Sequence, residues 1–318
     1  MATTSYHVPV LLHETLEQLD LKPGAVIVDG TLGGGGHAQA ILERTSPDGI
    51  LIGLDLDPDA LREAGQRLAP FGERVRLVQA SFRHLERITR EEGATEIDGV
   101  LLDLGVSSHQ LDQPARGFRF SPGPASPLDM RMDRANAGTT AAELLATLSA
   151  GDLERVFSQY GELPGARRLA RAIVERRESG PRLATAQDLI DLIQGTGIGR
   201  GRSHNPATLV FQALRIAVND ELAALEEGLQ AAVRVLRPGG RLVVLTYHSL
   251  EDRIVKRAFR GAAKGCVCPP SFPVCRCGRK PELALSPRRS IEPSAREIEA
   301  NPRARSARLR AAIRLEAA

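Results

Sequence analysis

Short apolar runs that close on an aspartate mark the first third of the chain: 26–28 ahead of Asp29, 50–54 ahead of Asp55 and 100–102 ahead of Asp103. Such continuous, branched apolar runs suit strands buried on both faces. With a further run they predict strands at 25–29, 50–55, 75–79 and 97–104. Helical periodicity fills the gaps at 37–44, 58–69 and 83–92, and Asp57-Pro58 supplies a capped start for the second of these. Strands alternating with helices predict parallel pairing through right-handed crossovers.

The alternation then breaks. A stretch rich in Pro and Gly at 114–136 leads to helical segments from about 139 to 194 and a Gly/Arg/Ser loop at 195–204. After Asn205-Pro206 a helical pattern covers 207–236, and Arg237-Pro238-Gly239-Gly240 turns the chain into another buried run at 241–246. A strand that returns after so long a helical stretch predicts an α/β domain, Rossmann-like and mostly parallel, with an inserted helical domain. The expected boundaries are 1–112, 113–214 and 215–318. Residues 278–305 read as polar, basic loop, in part disordered. Residues 306–315 fit a strand or a short helix equally.

The loop after the first strand carries the chemistry. Gly33-Gly34-Gly35-Gly36-His37 lets a ligand approach the main chain and a helix N-terminus closely. Asp55 follows Asp29 by 26 residues, at the tip of a second strand, where nucleotide folds hold ribose hydroxyls. The same glycines satisfy the dinucleotide fingerprint, so NAD is one reading. Asp29 separates the two: an acid repels a pyrophosphate and attracts the ammonium of a methionine moiety. That favours S-adenosylmethionine.

Charge is unevenly spread. Residues 1–112 carry a net −9 and 253–318 a net +11, against +3 for the whole chain. An acidic cofactor half joined to a basic tail points to a polyanionic partner such as nucleic acid, although a basic block can also be a solvated tail. No apolar run is long enough to span a membrane, and the first residues lack a signal-peptide pattern, so a cytoplasmic protein with no membrane partner is expected.

Asp103 ends the fourth strand and is followed by Leu104-Gly105-Val106-Ser107-Ser108. That position lies beside a cofactor's reactive end in a doubly wound sheet. An aspartate there can accept N–H bonds from an exocyclic amine, aligning a poor nucleophile; it can equally cap a helix or bind cofactor alone. Across nearly its whole length the chain resembles the bacterial small-subunit rRNA cytosine-N4 methyltransferases, the RsmH (MraW) family. The blocks that carry the resemblance are His7-Val8-Pro9-Val10-Leu11-Leu12, Asp29-Gly30-Thr31 through His37, Asp103 through Ser108, Pro127 through Asp133, Phe211 through Asn219, Tyr247 through Arg253 and Asn301 through Ser306.

The resemblance implies a class I S-adenosylmethionine-dependent methyltransferase whose inserted domain helps hold rRNA within the 30S subunit; it is compatible with a homodimer. It also implies cofactor contacts at Gly35, Gly36, His37, Asp55, Phe82, Asp103 and Gln110, with the target a cytidine in the decoding region. Phe82 taken alone reads as core. His248 follows the fifth strand and could accept a proton or contact the base, or be a structural histidine. Arg131, Arg215 and Arg253 suit phosphate contacts or internal ion pairs. A catalytically silent assembly factor of the same fold is a third reading. The four cysteines are spaced Cys266-x-Cys268-x6-Cys275-x-Cys277. Four close thiols suggest a tetrahedral metal site, but Cys-x-Cys departs from the usual Cys-x2-Cys knuckle. Free thiols in a loop is the reading taken, and no metal ligand is assigned.

Overall fold

The computed structural model describes residues 9–119, 126–134, 138–199, 205–269 and 272–316. His7, Val8 and 200–204 of the Gly/Arg/Ser loop lie outside them. The chain forms two compact units, Met1–Gly105 with Leu222–Ala318, and Val106–Glu221.

In the first unit, strands β1 (Val26–Asp29), β2 (Ile50–Asp55), β3 (Val75–Gln79), β4 (Ile97–Asp103), β5 (Leu236–Thr246), β6 (Leu283–Leu285) and β7 (Arg308–Arg314) form one sheet, ordered β3-β2-β1-β4-β5-β7-β6. The first five strands run parallel, with Val26 opposite Ile50 and Val100 opposite Leu242. β7 enters antiparallel between β5 and β6. The Arg-Pro-Gly-Gly segment read as a turn lies inside β5 as a bulge: Leu236 pairs with Ile97 and Arg241 already with Gly99.

The apolar runs bury both faces of this sheet. Val28, Val100, Leu102, Leu242 and Val244 face one core, and Ile27, Leu101, Val243 and Leu245 the other. Helices α1 (Leu12–Leu19), α2 (Gly36–Arg44) and α3 (Pro58–Leu68) cover the second face. In chain order, α4 (Leu85–Glu91) covers the first face, joined there by two helices that follow the second unit.

The second unit is helical: α5 (Ser108–Asp112), α6 (Ala141–Thr147), α7 (Ala150–Gln159), α8 (Ala166–Ser179), α9 (Ala186–Thr196) and α10 (Pro206–Asn219). Its own core centres on Phe157, Leu169, Ile173, Leu189 and Leu214. Val106, Leu111 and Val218 pack on that core, which is why 106–112 and 215–221 join this unit although the sequence division falls at 113 and 214. The chain returns to the first unit through α11 (Glu221–Val235), then α12 (Ser249–Ala263) after β5 and α13 (Ala295–Ala300) before β7.

The segment 278–305 differs from its reading as loop. It contains β6 and α13, both too short to show a periodicity, and Leu283 is buried against the sheet. The 306–315 segment resolves to a strand because β5 presents an open edge for Val243 to pair with Ala311. Among the described residues no helix is long and apolar enough to cross a membrane.

Candidate active site

Parallel strands bring their carboxyl ends to one edge of the sheet, so the aspartates that close β1, β2 and β4 converge there. Asp29 is buried, and its Oδ1 accepts the Thr31 N–H at 3.1 Å. The Thr31 hydroxyl also bonds Asp29, and it accepts the Asp103 N–H at 2.6 Å, tying the tip of β1 to that of β4. The glycine loop then crosses to β2. Leu32 N–H donates to Leu54 O at 2.9 Å, and Gly33 N–H to Asp55 Oδ2 at 2.8 Å. The other Asp55 oxygen takes the Asp57 N–H at 2.9 Å. Gly35 sits in front of α2 with φ 77°, a conformation that disfavours any side chain, and a Cβ there would crowd Ala64.

Burial pushes the Asp29 carboxyl up to about 7, and the charges of Asp103 and Asp55 push the same way. Asp55 rises to about 6, again chiefly through burial. Three carboxylates gathered at one low-dielectric edge favour a ligand that brings positive charge, and a carboxylate at the β2 tip suits vicinal hydroxyls. A pyrophosphate is disfavoured by the same charges.

His37, in the first turn of α2, is buried and neutral, its pKa lowered to about 4 by desolvation. Its Nε2 lies 3.1 Å from Val10 O, which calls for a proton on Nε2 and leaves Nδ1 an acceptor. That Nδ1 faces Asp103 Oδ2 at 3.6 Å. Two acceptors directed at each other form a seat for an N–H or O–H donor. The other Asp103 oxygen is held by the Tyr247 hydroxyl at 2.7 Å. Burial, together with Asp103, keeps that phenol protonated well above its usual range.

Tyr247 is the residue that sequence reasoning passed over. It stands directly after β5, at the same strand edge, and no local motif marks it. His248 instead caps α12: its Nδ1 accepts the Glu251 N–H at 3.4 Å, and its Nε2 lies 3.0 Å from Glu251 Oε1. Phe82 is half-buried against the apolar core, its ring seated on α11, where a Cβ at Gly228 would fall 2.4 Å from Cδ2. Gln110 belongs to the second unit. It is buried there and forms a capping box with Ser107 at the start of α5.

Two of the arginines considered for phosphate make internal pairs in the second unit. Arg131 grips Asp129 with Nε and Nη2 at 2.7 and 3.1 Å, and Arg215 grips Glu221 at 2.9 and 2.8 Å. The turn around Arg131 is pinned by Asn219, which donates to Met130 O and accepts from Met132 N–H, both at 2.8 Å. A different basic surface exists on this unit. Arg167, Arg168, Arg171 and Arg176 of α8 line an open groove of about 1050 Å³.

The model of the MraW methylase family matches residues 4–315. The protein named ribosomal RNA small subunit methyltransferase H of Symbiobacterium thermophilum is 51% identical, covering 98% of this chain and 98% of its own. Those of Geotalea daltonii and Geobacter sulfurreducens, which carry the same name, are 54% and 53% identical, covering 96% and 98% of this chain and 97% and 100% of theirs.

Proposed function

The chain belongs to the MraW methylase family, and on that premise we propose that it methylates the exocyclic N4 amine of a cytidine in the decoding region of small-subunit ribosomal RNA, with S-adenosylmethionine as cofactor. The observation that carries this reading is the convergence of Asp29, Asp55 and Asp103 at one buried edge, a charge set that suits a sulfonium and an ammonium. When bound, the cofactor supplies an electrophilic methyl group.

The remaining work falls to the chain. Asp55 accepts the ribose hydroxyls, and Asp29 faces the ammonium through the loop it anchors. Gly35, Gly36 and His37 let the backbone come close and Phe82 lies beside the adenine; Gln110 is a further cofactor contact only as the family motifs imply it. The cytosine amine is a poor nucleophile because its lone pair is delocalised into the ring. Asp103 Oδ2 and His37 Nδ1, the paired acceptors, take its N–H bonds, raise its electron density and fix its direction of approach. Tyr247 holds Asp103 in position through Oδ1. His248 serves as a helix cap in this scheme, outside the chemistry.

RNA is held by basic surface rather than by the acidic cofactor edge. The four α8 arginines, and the exposed Arg288 and Arg289 of the basic C-terminal region, are suited to phosphate. The test is incubation with labelled S-adenosylmethionine and small subunits lacking the modification, followed by mapping of the label. Label at one decoding-region cytidine N4, lost in Asp103→Ala at saturating cofactor, is the expected result. Particle binding without transfer would favour the silent assembly factor and overturn the proposal.

A further inference from the structure

The four cysteines lie outside the cofactor edge, in the segment 264–281 between α12 and β6. Their sulfurs all lie within 4.8 Å of one another. Cys275 Sγ is 3.6 Å from Cys277 Sγ, and Cys277 Sγ is 3.8 Å from Cys266 Sγ. A tetrahedral ion with metal–sulfur bonds of about 2.3 Å requires sulfur–sulfur edges of about 3.8 Å. These two separations match that edge and are far too long for disulfides, and the 4.8 Å limit on all four sulfurs leaves room for one ion rather than a cluster. The objection from spacing disappears here, because the i, i+2 cysteines do bring their sulfurs to ligand distance.

The main chain around the sulfurs is arranged for thiolates. Val267 N–H points to Cys277 Sγ at 3.4 Å, Cys268 N–H to Cys266 Sγ at 3.4 Å and Arg276 N–H to Cys268 Sγ at 3.3 Å. Thiols are weak hydrogen-bonding groups, so three exposed ones and a partly buried fourth, Cys268, gain little by gathering. Nor does a local core gather them, since Val267, Phe272 and Val274 are 48%, 46% and 70% exposed. A bound cation accounts for the convergence. Four thiolates around a divalent ion leave two negative charges, and Lys264, Arg276, Arg279 and Lys280 in the same segment offset them.

We infer that Cys266, Cys268, Cys275 and Cys277 form a structural zinc site that closes this loop. Each cysteine gives up its thiol proton to solvent as the ion binds, and no electron is transferred. All four positions are filled by protein, so the site is closed to substrate and its role is to hold the loop. This inference is independent of the proposed methylation.

The experiment uses the full chain, produced with zinc available and then desalted. Elemental analysis should find stoichiometric zinc, absent from the C266S/C268S/C275S/C277S variant. A thiol reagent should react slowly with the native protein and rapidly after chelation. Trypsin should cut after Arg276 and Arg279 only once the metal is removed. Replacing zinc with cobalt should give the intense visible absorption of a tetrahedral tetrathiolate, a readout that does not depend on the serine variant folding. Zinc no higher than in the serine variant, stoichiometric iron in its place, or four thiols that react fast without a chelator would each overturn the assignment.

Discussion

Replacing Asp29 with Asn separates the stability of the cofactor edge from its function. Asn keeps an oxygen that can accept the Thr31 N–H and exchanges the other, ionisable oxygen for a neutral amide nitrogen. The rise of the Asp29 carboxyl from 3.8 to about 7, at about 1.4 kcal/mol per pH unit, makes ionising it in the folded chain cost about 4 kcal/mol. A pKa raised by folding gives stability that is intact below the unfolded value and is lost as pH climbs through the folded one. The variant escapes that loss. Its advantage over the parent chain should be near zero in acid, roughly 1.5 kcal/mol near pH 5 and about 4 kcal/mol above pH 7. Urea denaturation of cofactor-free protein at about pH 5 and about pH 8 measures this difference. Adding S-adenosylmethionine should then reverse the order, because the parent binds the cation more tightly and is stabilised by mass action. A variant no more stable than the parent at the higher pH, or an advantage that does not grow with pH, would show that Asp29 carries no buried charge and refute the electrostatic reading of this edge.

Four further outcomes are expected. Asp55→Ala should weaken cofactor binding by roughly 1.5–3 kcal/mol, the worth of charge-assisted bonds, with the fold retained; calorimetric titration checks it. Tyr247→Phe at saturating cofactor should lower the single-turnover rate about tenfold, equivalent to about 1.4 kcal/mol, and a parental rate would remove Tyr247 from the site. Gly228→Ala should force the Phe82 ring from its seat, since the new Cβ falls 2.4 Å from Cδ2; a stability loss of about 1–3 kcal/mol and weaker cofactor binding should appear together. Reversing the charges of Arg167 and Arg171, or of Arg288 and Arg289, should flatten the salt dependence of RNA binding without changing cofactor affinity. Salt titrations identical to the parent's would exclude the reversed pair from the RNA surface.

Much of the cofactor edge is legible in the sequence because its signals are local. An apolar run ending in Asp29, Asp55 or Asp103 fixes a strand and the residue at its tip, and parallel pairing then brings the tips together. Gly35 announces its own turn, and the long helical stretch announces an insertion. The short elements were not legible: β6 and α13 offer too few residues for a period, and only the open edge of β5 makes 308–314 a strand.

Side-chain pairing was decided by the tertiary structure. Tyr247 and His248 are neighbours in sequence with opposite fates, one directed at Asp103 144 residues away and the other turned back onto Glu251. His248 has a local partner, the Glu251 that completes its capping box three residues on, whereas nothing near Tyr247 in sequence marks its bond to Asp103. The same holds for His37, whose tautomer depends on the Val10 carbonyl. Sequence spacing argued against a metal knuckle, yet the path of the loop brings Cys266 to Cys277. Periodicity and strand tips are properties of contiguous residues, so the sequence by itself determines them. Which acceptor meets which donor, and which sulfur meets which, depends on chain segments far apart in sequence, and only the packed structure sets those distances.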